Sequence, residues 1–245
     1  MRPVAGLVLP EAEPELGDRV QPELYRSQVE MNTPVCTTLG EVRDAVRHGR
    51  RALVEAAGRE GLRLAAAGTH PFSHWRDQVV TDKPRYRNLA EDYQQVFREQ
   101  VVFGCHVHVG IADPEAAIQT MNHTRPWLPA LLALSGNSLY WLGADTGYAS
   151  YRTEVWNRWP TAGLPELFDS RASYDALVET LVATGSVREP TKLYWDVRPS
   201  TRQPTLEFRV ADVLMDVDEA VMVAGLARAL AFTCHEAAAR GEPVP

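Results

Sequence analysis

The stretch GCHVHVG, residues 104–110, places His106 and His108 two positions apart in an apolar run. Side chains at i and i+2 of a β-strand point to the same face. Both imidazoles are therefore expected side by side, with Cys105, Val107 and Val109 turned toward a core. Alone, such a pair also fits ordinary packing, so the other strand-like segments carry the decision. Period-two reading of TLEFRVAD puts Thr205, Glu207 and Arg209 on one face, and that of YWDVRPS groups Tyr194, Asp196 and Arg198. YRSQVEMN likewise aligns Arg26, Gln28 and Glu30. Each strand then has an apolar side and a side with charges of both signs, an arrangement that is often simply solvated. If these faces converge, Glu30, Glu207, His106 and His108 make a site for divalent cations. Carboxylate oxygens suit Mg²⁺, and imidazole is a minority ligand. Arg198 and Arg209 beside such ions would hold phosphate, which is the equipment of phosphoryl transfer.

The elements that would position these residues read as a mixture. Residues 38–62 form an amphipathic helix, with Thr38 and Glu41 as a capping pair and Val42, Ala45, Val46, Ala52 and Leu53 as its apolar stripe. Residues 84–100, 172–185 and 216–238 are also expected to be helical, and residues 113–138 form two helical pieces broken at Pro126. LYWDVRPS and TLEFRVAD read as an antiparallel hairpin, residues 63–72 as a short strand, and residues 1–22, rich in Pro and Glu, as a surface lead-in. The class is α+β. With no repeat and no linker, residues 1–245 read as a single domain.

Composition narrows the function classes. The chain has 245 residues, 45% hydrophobic and 23% charged, with a net charge of -7, which argues against a phosphate-neutralising nucleic-acid surface. Lys83 and Lys192 are the only lysines, so arginine carries almost all the positive charge. Its planar fork suits carboxylates and phosphates. Cys36, Cys105 and Cys234 have no metal-type spacing and are odd in number, as expected of thiols in a reducing compartment. No signal peptide or membrane-spanning run is read, so a cytoplasmic location with no membrane partner is expected.

GCHVHVG, RPWLPALLALSGNS, DTGYASYR, RWPTAG, YWDVRPS and PTLEFRVAD, with YRSQVEMNTPVC and AAAGTHPFSHWRDQ, together resemble the glutamate–cysteine ligase type 2 family. These are bacterial carboxylate–amine ligases, also known as YbdK-like proteins. The resemblance implies a glutamine synthetase-like fold, a curved antiparallel sheet with a polar concave face and helices on the other. It implies ATP and Mg²⁺ as cofactors. The γ-carboxylate of glutamate would be phosphorylated, and an amine, cysteine by default, would displace the phosphate. By the same resemblance Glu30, His106 and Glu207 fall at metal or substrate ligands, His108 near the nucleotide, and Arg198 and Arg209 at catalytic positions on phosphate or carboxylate. Arg26 joins the substrate-binding set, with Arg152 and Arg158 in a loop that would close over the substrate.

Two features depart from the family pattern. A first strand of the type GVEEE is missing, and the chain stops at RGEPVP where the family continues with helical sequence. The chain reads as shortened at both ends. A sheet edge exposed in this way could pair with another chain, so a homo-oligomer joins small-molecule substrates among the expected partners. The alternatives are a non-catalytic homologue that binds a ligand or partner, and a zinc hydrolase built on His106 and His108.

Overall fold

The computed structural model describes residues 1–245. Its helices are α1 (Ala5–Leu16), α2 (Leu39–Arg59), α3 (Pro84–Arg98), α4 (Pro114–Thr124), α5 (Leu128–Ser135), α6 (Tyr151–Trp156), α7 (Arg171–Ala183) and α8 (Val217–Ala239). Its strands are β1 (Val20–Pro22), β2 (Val29–Met31), β3 (Val107–Gly110), β4 (Tyr140–Trp141), β5 (Ala144–Asp145), β6 (Val197–Pro199) and β7 (Thr205–Phe208). The sheets, all antiparallel, are β1-β2, β3-β7-β6 and β4-β5. Helices with small antiparallel sheets place the chain in the α+β class. Two compact units are formed, one from residues 1–103, 137–155 and 213–221, the other from 104–136, 156–212 and 222–245. No helix is long and apolar enough to cross a membrane.

The first unit is built on α1 and α2. Residues 5–16 are helical rather than a surface lead-in: Ala5, Val8, Leu9, Ala12 and Leu16 form a buried stripe against Ala52, Leu53, Ala56 and Ala57 of α2. Pro10 and Pro14 lie inside this helix and obscure the pattern in the sequence. An interior proline costs about 3 kcal/mol. Burying Val8, Leu9 and Leu16 returns about 1.5–3 kcal/mol each, which is of the size that the two prolines cost together. Helix α2 starts as read, with Thr38 accepting from the Glu41 amide at 3.2 Å and the reciprocal half of the capping box also formed. Gly49 in α2 lets Met31 of β2 pass close by; a Cβ there would lie 1.9 Å from the Met31 Sδ.

Residues 63–72 do not form the expected strand. Thr69 makes only an isolated bridge to Val102, and its Oγ1 donates to the Tyr140 carbonyl at 2.7 Å. The alanine run before it offers no branched side chains to fill a pleated surface.

In the second unit, α4 and α5 are separated by a 3₁₀ turn at Arg125–Trp127, so the break falls at Pro126 as read. Asp113 caps α4, its carboxylate accepting from the Glu115 amide at 2.9 Å. One face of β3-β7-β6 carries Val107, Val109, Leu206, Phe208 and Val197 into a core with Ile118, Met121, Val178 and Leu193. The alternation that buries this face sends the intervening side chains to the other.

Candidate functional site

That other face is polar. The strand register sets His108 opposite Glu207 and Glu207 opposite Arg198, one rung across three strands. His106 precedes β3 and Arg209 follows β7, two positions from His108 and Glu207 respectively. Glu207 is the hub, and only 5% of it is exposed. Its Oε2 accepts from Arg198 Nε at 2.9 Å, and its Oε1 accepts from Arg209 Nη1. The same Oε1 lies 3.5 Å from His106 Nδ1 and 3.9 Å from His108 Nε2. Arg198 Nη1 also donates to the carbonyls of Thr191, at 3.2 Å, and Leu193. The Arg209 amide donates to the Asp196 carbonyl at 2.7 Å, and its guanidinium lies 5.7 Å from the centre of the Trp156 ring.

Electrostatics follow from this packing. Burial pushes the Glu207 carboxyl up, but the Arg209 and Arg198 guanidinia and His106 outweigh it and hold the group at about 2. Glu207 is therefore ionised at all ordinary pH. Burial lowers the His108 imidazole, and Arg209 and Arg198 lower it further against the opposing pull of Glu207. Two guanidinia share one carboxylate, so the cluster is net cationic and suited to an anion.

The sequence-predicted residues separate into two groups. His106, His108, Glu207, Arg198 and Arg209 meet on one sheet face, whereas Glu30 belongs to the β1-β2 sheet of the first unit. Arg26, Gln28 and Glu30 do not share a face. A turn closes at residues 25–28, the Gln28 amide donating to the Tyr25 carbonyl at 2.9 Å, and only Val29–Met31 is extended. Gln28 is buried with its Nε2 on the Val102 carbonyl at 3.0 Å, while Arg26 is exposed. Arg26 borders an apolar cavity of about 390 Å³ with Ala5, Leu9, Pro22 and Val79. Arg152 is buried in α6, its amide donating to Ser138 Oγ at 3.0 Å, and Arg158 is exposed just after that helix.

Three further residues take on roles that strand alternation alone does not reveal. Thr205 Oγ1 lies 2.8 Å from His108 Nδ1 and orients that ring. Trp156 lies beneath Arg209. Glu23 is hydrogen-bonded to Glu30; burial first, then that bond and the Glu30 charge, push its carboxyl up to about 8. Pairing of Gln21 with Glu30 brings Glu23 near, a relation visible only once the hairpin register is known.

The donor set does not make an all-protein metal cage, since no three His, Cys, Asp or Glu side chains gather to hold an ion. A nucleotide-borne Mg²⁺ would ask for one or two protein ligands only, completing its shell with phosphate oxygens and water.

Comparison with known proteins supplies the family. The profile of the glutamate–cysteine ligase family 2 matches residues 4–242. A "Putative glutamate–cysteine ligase 2" of Rhodopirellula baltica is 46% identical over 230 residues, 94% of this chain and 62% of that protein. A "Putative glutamate–cysteine ligase 2-1" of Saccharopolyspora erythraea is 49% identical over 219 residues, 89% of this chain and 58% of that protein. The chain thus spans about 60% of the length of these relatives. A match over nearly every residue, carried by a protein whose sheet presents this cluster, shows that the chain belongs to the glutamate–cysteine ligase family 2.

Proposed function

We propose that the chain works in an ATP- and Mg²⁺-dependent carboxylate–amine ligase that forms a γ-glutamyl amide through an acyl phosphate, with glutamate and cysteine as the default pair. The observation that carries this reading is the pinning of two guanidinia by one buried carboxylate, with two imidazoles alongside. Arg198 and Arg209 would bind the phosphoryl group and the charge that develops on it during transfer. Glu207 fixes both before any substrate arrives, so orientation is set in the free protein. In the second unit His106 and Glu207 are the candidate ligands for Mg²⁺, which when bound neutralises phosphate charge; in the first unit the candidate is Glu30. His108, uncharged and oriented by Thr205, would border the nucleotide. Arg26, Arg152 and Arg158 are candidates for the carboxylates of the amino-acid substrates. The sheet β3-β7-β6 would form part of a glutamine synthetase-like curved sheet, with the polar face concave. Three free cysteines suit a cytoplasmic setting.

The test is ATP- and Mg²⁺-dependent phosphate release by the 245-residue chain with glutamate, with and without cysteine. Arg209→Lys and Glu207→Gln serve as controls. Release that needs both amino acids and falls at least a hundredfold in each variant is expected, by analogy with loss of a charge-stabilising group. A chain that is folded yet releases no phosphate would assign it a non-catalytic, ligand- or partner-binding role instead.

A further inference from the structure

Arg209 lies one residue beyond the end of β7, so the sheet ladder does not hold its side chain. Glu207 engages it at its edge, through Nη1. A second contact is made on its face, 5.7 Å from the centre of the Trp156 ring, within the range of a cation–π interaction. With only 7% of the Arg209 side chain exposed, water screens this attraction little.

Trp156 is itself clamped. Its Nε1 donates to the Tyr194 carbonyl at 3.4 Å. Its ring stands edge-on to Tyr194, with centroids 5.3 Å apart at 72°, and to Trp159 at 6.3 Å and 68°. Tyr194 and Trp159 are buried, and their rings meet at 5.0 Å with a tilt of 41°. Three aromatic rings thus form a rigid base whose half-buried member faces the guanidinium.

We propose that Trp156 is a positioning residue for Arg209: its indole face fixes the plane in which the guanidinium meets a bound phosphate or carboxylate. The proposal deepens the ligase reading and rests on Arg209 being an anion-binding group. Leucine and phenylalanine are both smaller than tryptophan and both leave a gap, but only phenylalanine keeps a π-face, so the difference between the two variants reports the ring. Loss of the interaction is therefore separable from loss of packing.

The experiment uses the whole chain, with Trp156→Phe and Trp156→Leu, and inorganic phosphate as the probe. The Arg209 Nε–Hε resonance, identified by its absence from Arg209→Lys, reports ring-current shielding by the indole. It is expected upfield in the native chain, less so in Trp156→Phe, and at an ordinary position in Trp156→Leu. Phosphate dissociation constants are expected to rise about tenfold in Trp156→Leu and within about twofold in Trp156→Phe, the size of a desolvated cation–π contact. An unmoved Arg209 resonance in Trp156→Leu overturns the proposal. So does loss of phosphate binding that follows the unfolding temperature equally in both variants, since that marks a packing role. If the native chain binds no phosphate, the anion-site reading fails. The positioning role is then decided by the Arg209 resonance alone, upheld if it moves and overturned if it does not.

Discussion

Glu207 sits directly across the sheet from Arg198, and a 2.9 Å hydrogen bond from Arg198 Nε to Glu207 Oε2 joins them. Arg209 completes the pairing on the other oxygen. Removing the shared partner of two buried cations breaks both ion pairs at once, a cost of about 3–5 kcal/mol. Glu207→Ala is expected to lower the unfolding free energy by that amount in urea titration. Arg209→Met added to it should restore part of the loss, because one stranded charge is then gone. Strict additivity of the two substitutions would refute the shared-carboxylate account.

The Glu23–Glu30 pair predicts a pH dependence of opposite sense from Glu207. With its carboxyl pushed up to about 8, Glu23 binds a proton in the folded chain at pH values where the unfolded chain does not. Its stabilising contribution is complete below the unfolded carboxyl range, near pH 4.3, and is lost as pH rises through about 8. For Glu207 the contribution is complete above that range and is lost as pH falls toward about 2. Urea unfolding between pH 5 and about 9 should show falling stability in the native chain, and Glu23→Gln should flatten the slope. A native chain already flat over this window would contradict the proton-sharing pair.

The sequence made some of this legible and hid the rest for identifiable reasons. His106, His108, Glu207, Arg198 and Arg209 were readable because strand alternation is a local rule and all five follow it. Thr38 and Glu41 announced α2 through three-residue spacing, and Pro126 marked the break between α4 and α5. Glu30 and Arg26 were placed on a single polar face because a turn between them leaves no mark in a short polar run. Pro10 and Pro14 disguised α1, whose apolar spacing was present but whose stability comes from packing on α2. The unit division has no linker in the sequence, because each unit draws on three separated segments. Glu23 and Trp156 depend on contacts between distant segments, and local periodicity does not encode those.

His108 gives the last prediction. Its Nδ1 is 2.8 Å from Thr205 Oγ1, while its Nε2 faces the Glu207 carboxylate at 3.9 Å. Burial disfavours the imidazolium, and the Arg209 and Arg198 charges disfavour it further, so the group titrates below 6.5. Glu207 alone would raise it, but its charge is already spent on the two guanidinia. The ring is thus neutral at physiological pH and adds no positive charge beside the two guanidinia. Following the His108 Hε1 resonance with pH should give a midpoint below 6.5. Arg198→Met should move it upward by removing one cation, as long as the rest of the spectrum stays native. In stability terms the folded chain favours the neutral ring, so this contribution is lost as pH falls below the unfolded value of about 6.5. A midpoint at or above that value would mean that Glu207 governs the ring and the arginines do not, and His108 would then enter the site as a cation.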